Sequence, residues 1–152
     1  MRLTQPSDIN FIELMSWFPT EEELSIWSGP GFRYPFDLIS FKNDLKLDSL
    51  KSFSLISEKG GLLAFGQYYL RLDRCHLGRL VVNPNLRGQG VASHLIEKLS
   101  TLGKSDLKAD SCSLFVLGHN KSAIQAYTKL GFYMADYPDE IPLENCFYMV
   151  KV

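Results

Sequence analysis

Over the first fifty positions apolar residues recur at helical spacing, and beyond Lys51 they gather into compact runs. Met1 to Thr4 reads as a short first strand. Asp8 is a candidate N-cap for a helix with Ile9, Ile12 and the Leu14–Met15 pair on one face. Pro19 halts that pattern, and Thr20 opens a capping box closed by Glu23, with Glu21 and Glu22 at the positive helix end. The second helix breaks at Gly29-Pro30-Gly31, and a third is expected from Phe36 to about Leu47. Phe53 to Ser57 and Leu62 to Leu72 read as strands joined by a hairpin turn at Lys59-Gly60-Gly61. Gly66 inside the second predicts a bulge or a close backbone approach. Cys75 to Val82 is a further strand ended by Asn83-Pro84-Asn85. A helix follows from Gly90 to Leu102 with Val91, Leu95, Leu99 and Leu102 along one stripe. Ser113 to Leu117 reads as a buried strand, Lys121 to Leu130 as a helix ended by Gly131, and Phe132–Met134 and Phe147–Val152 as closing strands.

Strands and helices alternate after residue 50, so the class is α/β or α+β. The 152 residues suit one domain spanning 1–152. Hydrophobic residues at 45% and charged residues at 22% are ordinary for a packed globular chain. Sixteen Lys and Arg against seventeen Asp and Glu leave a net charge of −1, which argues against a broad nucleic-acid surface. No apolar stretch approaches the ~20 residues that span a bilayer, and Met1 to Asn10 holds no signal-peptide core. Cys75, Cys112 and Cys146 are odd in number and widely spaced. They read as free thiols, which predicts a cytoplasmic protein. His76, His94 and His119 match no zinc spacing, so no metal is expected.

The segment from Leu80 to Ser93 carries the most chemistry. It is a strand, a sharp turn and a glycine-bearing helix entry. Gly88 and Gly90 leave the backbone free of Cβ obstruction, so amide N–H groups from Gly88 to Ser93 can converge on an anion at the positive helix end. Arg87 adds a cation suited to bidentate phosphate binding. A Walker loop is excluded because no Lys follows the glycines, and a dinucleotide fingerprint because Ser93 stands where its third glycine belongs. A turn that merely admits strand to helix is the structural alternative.

The remaining pattern, Arg87-Gly88-Gln89-Gly90-Val91-Ala92, resembles the acyl-CoA diphosphate loop of the GNAT (GCN5-related) N-acetyltransferases. The run Asn120-Lys-Ser-Ala-Ile-Gln-Ala-Tyr-Thr-Lys-Leu-Gly-Phe132 is similar to that family's second signature, Asn-x-x-Ala-x-x-x-Tyr-x-x-x-Gly-Phe, at every spacing. Val82-x-Pro84 also fits, and the two motifs occur in order with the strand Leu114-Phe-Val116 between them. The resemblance is carried by about residues 51–152.

It implies a GNAT-like mixed, mostly antiparallel central sheet with helices on both faces and a V-shaped splay between two parallel strands. It also implies transfer of an acetyl group from acetyl-CoA to an amine by direct attack in a ternary complex, releasing CoA. Leu80, Val81 and Val82 would offer backbone groups to the pantetheine arm, with the Val82 N–H as oxyanion donor. Arg87, Gly88, Gln89, Gly90, Val91, Ala92 and Ser93 would hold the diphosphate. Asn120 would contact the cofactor near its pantetheine end. Tyr127 would protonate the departing thiolate, its alternative being packing of its helix on the sheet. The chain departs from the family at Phe115, where many relatives carry a glutamate base. His76 is the titratable candidate on the preceding strand. A satisfied sheet histidine and a water relay are the alternatives.

For the acceptor, the resemblance points to the last strands and to the first two helices and their loop. There Trp27, Phe32 and Tyr34 would wall a pocket and Arg33 would pair an acceptor carboxylate; the same rings could equally be core. A small-molecule amine and a protein N-terminal amine both suit, with the protein a monomer or homodimer. A non-catalytic acyl-CoA-binding sensor is the reading from another class.

Overall fold

Ser7, Thr20 and Asp37 each accept the backbone N–H three residues on, and each opens a helix. In this computed structural model, which describes all 152 residues, they cap α1 (Asp8–Ser16), α2 (Glu21–Ser28) and α3 (Leu38–Asp44). The first cap is Ser7 rather than Asp8, closed reciprocally by the Asn10 side chain. The buried stripe of α1 also lies beside the expected one. Phe11, Leu14 and Met15 pack inward at i, i+3 and i+4, Phe18 joins them beyond the helix end, and Ile9 and Ile12 are exposed. α3 is shorter than expected because Asp37 and Ser40 form a capping box that fixes its start.

The strands are β1 (Arg2–Thr4), β2 (Lys51–Ile56), β3 (Leu62–Arg71), β4 (Arg74–Val82), β5 (Cys112–Leu117), β6 (Tyr133–Ala135) and β7 (Cys146–Lys151). Two further helices are α4 (Val91–Leu107) and α5 (Lys121–Lys129). The strands hydrogen-bond in the order β1-β2-β3-β4-β5-β7-β6. The sheet is mostly antiparallel, with β4 and β5 as its parallel pair, which is the mixed α/β class the sequence predicts.

The chain forms two compact units. The first comprises Met1–Gln67 and Arg79–Leu99. Phe11, Leu14, Phe18, Leu24, Phe41 and Phe65 build its aromatic-rich core under α1 to α3. Neighbouring β3 residues face opposite ways here. Phe65 meets Phe11 edge-on at 6.4 Å, and a side chain at Gly66 would run into Leu99 Cδ1 at 2.6 Å. Helices therefore cover both faces of this part of the sheet, and Gly66 is the close approach expected of it.

The second unit comprises Tyr68–Gly78 and Ser100–Val152. β4 pairs with β5 from Cys75↔Cys112 to Leu77↔Leu114, and β5 pairs with β7 over its whole length, Cys112↔Lys151 to Leu117↔Cys146. α4 continues five residues past Leu102, which is itself exposed. The buried line of the helix runs Leu95, Leu99, Gly103, and the glycine rests on the Tyr68 ring and the Cys75 sulfur.

Gly103→Ala therefore tests this packing through its sign. At an open helical position the change gains about 1 kcal/mol. Here the new methyl meets Tyr68 ring carbons at 3.2 Å in a fully buried layer, and a loss of about 1–3 kcal/mol is expected from urea midpoints. A stabilised variant would contradict the packing.

Candidate active site

β4 is irregular shortly before it enters the glycine turn. Arg79 has φ of 47°, in the left-handed region that a long side chain rarely occupies. Cys75 and Leu80 both face α4, Cys75 toward Gly103 and Leu80 beside Leu95 and Leu99. They are five residues apart, an odd separation that would put them on opposite faces of a regular strand. One residue has been inserted, and Arg79 bulges the strand.

The bulge is held by the first unit's core. The Trp27 indole N–H donates to the Arg79 carbonyl at 2.9 Å. The Arg79 guanidinium donates to Gln67 Oε1 at 2.9 Å and lies 5.0 Å over the Phe32 ring. Buried Gln67 also donates to the Leu45 carbonyl and to Ser52 Oγ, so its amide is satisfied at both ends. Beyond the bulge, Leu80 packs beside α4 and Val81 on the aromatic core, so the side chains of these two residues are committed to packing.

The turn after Val82 is built from Asn83, whose side chain accepts from the Asn85 N–H and donates to the Leu62 carbonyl. Pro84–Leu86 form one 3₁₀ turn, and Arg87 is extended and exposed. Gly88 and Gly90 both sit at positive φ, 79° and 80°, with open space over each. α4 then begins, its first i→i−4 bond running from the His94 N–H to the Gly90 carbonyl. Its first turn carries no acidic side chain. An exposed guanidinium, two left-handed glycines and a run of first-turn amides suit a diphosphate.

The acceptor residues expected at the first loop engage one another and the first unit's core. Trp27 stacks on Phe18 at 4.4 Å and on Phe41 at 6.1 Å, and Phe32 meets Trp27 and Phe41 edge-on. Trp27 and Phe32 are half-buried and pack against the aromatic core. Arg33 is engaged by Asp44, Nη2 to Oδ1 at 3.0 Å and Nε to Oδ2 at 3.2 Å, which raises its pKa and lowers that of Asp44. Tyr34 is partly exposed and donates to the Pro19 carbonyl.

In the second unit, Asn120 caps α5, its side chain accepting the Ala123 N–H at 3.2 Å. At the other end the Gly131 N–H reaches the Thr128 carbonyl and the Phe132 N–H the Tyr127 carbonyl, both at 3.0 Å. Gly131 has φ of 100°, completing a Schellman motif. The helix bearing Tyr127 is thus fixed at both ends, and burial raises the Tyr127 pKa, keeping the phenol protonated.

His76 is only 2% exposed, with Nδ1 at 2.8 Å from the buried Ser113 hydroxyl. Phe115 packs against it edge-on at 4.6 Å, and Tyr69 and Tyr148 flank it. Burial first, and the Arg71 guanidinium second, push its pKa down to about 3. Arg71 itself is held by the Tyr69 and Tyr137 hydroxyls and lies 5.2 Å over the Phe115 ring. Sequence reasoning missed Arg71, Arg79 and Ser113. The strand pattern marks their positions, but their roles arise from partners 12 to 66 residues away.

The model of the acetyltransferase (GNAT) family matches residues 12–132. The chain belongs to the GNAT acetyltransferase family. Solved structures share the fold. Spermidine N-acetyltransferase from Vibrio cholerae, in complex with CoA and spermine, superposes with a TM-score of 0.75 at 15% identity, over 98% of this chain and 93% of that one. The PaiA N-acetyltransferase from Thermoplasma acidophilum, in complex with coenzyme A, gives 0.71 at 16%, over 99% and 97%. The ribosomal-protein-S18-alanine N-acetyltransferase from Escherichia coli gives 0.67 at 19%, over 99% and 92%. No helix of this GNAT protein is long and apolar enough to cross a membrane.

The His76 environment has a consequence for stability. Its folded pKa of about 3 lies below the ordinary value of 6.5, so between those pH values the unfolded chain takes up a proton that the folded chain refuses. Stability should fall as pH drops through that window, by up to about 1.4 kcal/mol per pH unit. Between pH 7 and pH 4, His76→Gln is expected to lose roughly 3 kcal/mol less than the wild type in urea titrations. Equal losses would show that the imidazole is not held neutral.

Proposed function

We propose that the chain is an N-acyltransferase that moves an acetyl group from acetyl-CoA to an amine, by direct attack in a ternary complex. The observation carrying this reading is the paired left-handed glycines opening α4 beside the exposed Arg87. Bound acetyl-CoA supplies an activated thioester carbonyl. The amides from Gly88 to Ser93 and the Arg87 guanidinium would hold its phosphates, with Gln89, Val91 and Ala92 contributing backbone only. The backbone of Leu80, Val81 and Val82 would hold the pantetheine arm, the Val82 N–H meeting negative charge as it grows on oxygen. Asn120, its side chain engaged in the α5 cap, would add a contact through its backbone.

Tyr127 keeps its proton through the neutral range and has the character of a donor to a leaving sulfur. His76 has the opposite difficulty. A group with a pKa of about 3 accepts a proton poorly from an alkylammonium, so in this reading water takes the amine proton and His76 orders the aromatic layer around it. Three free thiols are in keeping with a cytoplasmic protein.

Two substitutions separate the enzyme from an acyl-CoA sensor. Arg87→Ala should weaken CoA binding by roughly tenfold and leave a phosphate-free pantetheine thioester unaffected. Tyr127→Phe should keep CoA affinity and lower kcat by about 10²–10⁴-fold. CoA binding without turnover on any amine would favour the sensor. Unchanged CoA affinity in Arg87→Ala would remove the loop assignment.

A further inference from the structure

β4 and β5 run parallel over three rungs: Cys75 opposite Cys112, His76 opposite Ser113 and Leu77 opposite Leu114. The Cys75 N–H donates to the Ser111 carbonyl at 2.9 Å, which fixes the register at the cysteine rung. Neighbouring strands lie about 4.8 Å apart, inside the Cα separations that a disulfide spans. The two thiols hydrogen-bond each other, so both sulfurs lie on one face of the sheet. Cys146 stands apart from this pair. It lies opposite Leu117, five residues along β5 from Cys112, which puts it about 17 Å away and on the other face.

The surroundings give the two sulfurs different characters. α4 covers them with small residues. A side chain at Gly103 would run into the Cys75 sulfur, and the Ser100 hydroxyl, buried with no other partner, favours the charged form of Cys112. The Cys75 hydrogen bond first, then Ser100, Lys104 and Lys151, hold the Cys112 thiol below its ordinary pKa against the opposing effect of burial. The same hydrogen bond and burial push the Cys75 thiol up. Cys112 therefore has the character of an attacking thiolate, and Cys75 that of a resolving thiol.

We propose that Cys75 and Cys112 form a hydroperoxide-responsive redox site that closes to a disulfide across the β4–β5 pair. The Cys112 thiolate attacks one peroxide oxygen and the O–O bond breaks. Cys112 becomes a sulfenic acid, and the departing hydroxide takes the Cys75 proton and leaves as water. The Cys75 sulfur then attacks the Cys112 sulfur. The sulfenic hydroxyl departs and, with the proton released when Cys112 ionised, becomes the second water. Two thiols are oxidised to one disulfide, and one hydrogen peroxide is reduced to two waters. Both residues are buried, so the oxidant enters through local opening beneath α4, and oxidation is slower than at an exposed thiol. Strands at this spacing hold their side chains wider than a relaxed disulfide prefers, which leaves the bond strained and readily reduced. Such a pair rests as thiols in a reducing compartment and oxidises transiently. The inference stands independently of the acyltransferase reading.

The test treats the folded wild-type protein with hydrogen peroxide at neutral pH. Remaining thiols are then blocked with N-ethylmaleimide under denaturing conditions, and the peptides are mapped by mass spectrometry. Three thiols should fall to one, Cys75 and Cys112 being lost together and joined, with this linkage roughly tenfold or more above any that involves Cys146. Dithiothreitol should restore all three thiols. Cys146→Ala should leave the linkage unchanged. In Cys75→Ala, dimedone should trap a sulfenic acid at Cys112, and in Cys112→Ala no such adduct should form at Cys75. Circular dichroism checks that each variant is folded, and the wild-type map decides the matter without them. Cys75 and Cys112 fully alkylated after Cys146 has been oxidised, a linkage formed only in urea that unfolds the chain, or a dominant link to Cys146 would overturn the proposal.

Discussion

The inserted residue in β4 is the constraint on which the first unit's entry into the glycine turn depends. Left-handed backbone at a non-glycine residue costs about 1–2 kcal/mol. At Arg79 that cost is offset by an unusually complete set of partners. Its carbonyl takes the Trp27 indole proton, its guanidinium bonds Gln67, and its charge lies over Phe32. Gln67 in turn is buried and tied to Leu45 and Ser52. The aromatic core under α1 to α3 is thus also the clamp that keeps β4 bulged. The bulge decides which way Leu80 and Val81 face as the strand runs into the glycine turn.

The cluster from Trp27 to Phe36 suits two readings by residue type, pocket wall and core packing. Large aromatics beside Pro and Gly look like the walls of a pocket. Their distinguishing partners are Arg79 and Phe65, 52 and 38 residues downstream of Trp27, and nothing local announces them. Arg33 is a similar case, because Asp44 satisfies it from the adjacent helix. By contrast the turn from Arg87 to Ser93 and the helix from Lys121 to Lys129 were legible, because their signals are local. Glycines at positive φ, an N-capping Asn and a C-terminal Gly act on their own backbone within four residues. Helix faces were legible only to within a stripe. α1 turned by about one residue toward Phe11 because a phenyl ring buries more area than the isoleucines beside it. The line of α4 drifted onto Gly103 because Tyr68 and Cys75 leave no room there for a side chain.

The second motif also has a structural meaning of its own. Asn120 and Gly131 close the two ends of α5, and the Schellman bond from Phe132 lands on the carbonyl of Tyr127 itself. The Tyr127 and Phe132 rings lie 6.2 Å apart, so the residue that ends the motif also packs against the phenol. A Tyr on a frayed helix end would sample many orientations. Here the caps restrict the backbone beneath it, and the ring of Phe132 limits the phenol's freedom further.

The face of the second unit that carries His76 is organised around cations held by neutral oxygens. Arg71 and Arg74 bond phenol and serine oxygens on that face, Tyr69 and Tyr137 for the first, Ser111 and Tyr148 for the second. Burial first, and the Arg71 charge second, suppress protonation of the imidazole nearby, and the two guanidinium groups fix the phenol rings in orientation. Phe115 belongs to the same arrangement, its ring lying under the Arg71 guanidinium at 5.2 Å and edge-on to His76 at 4.6 Å.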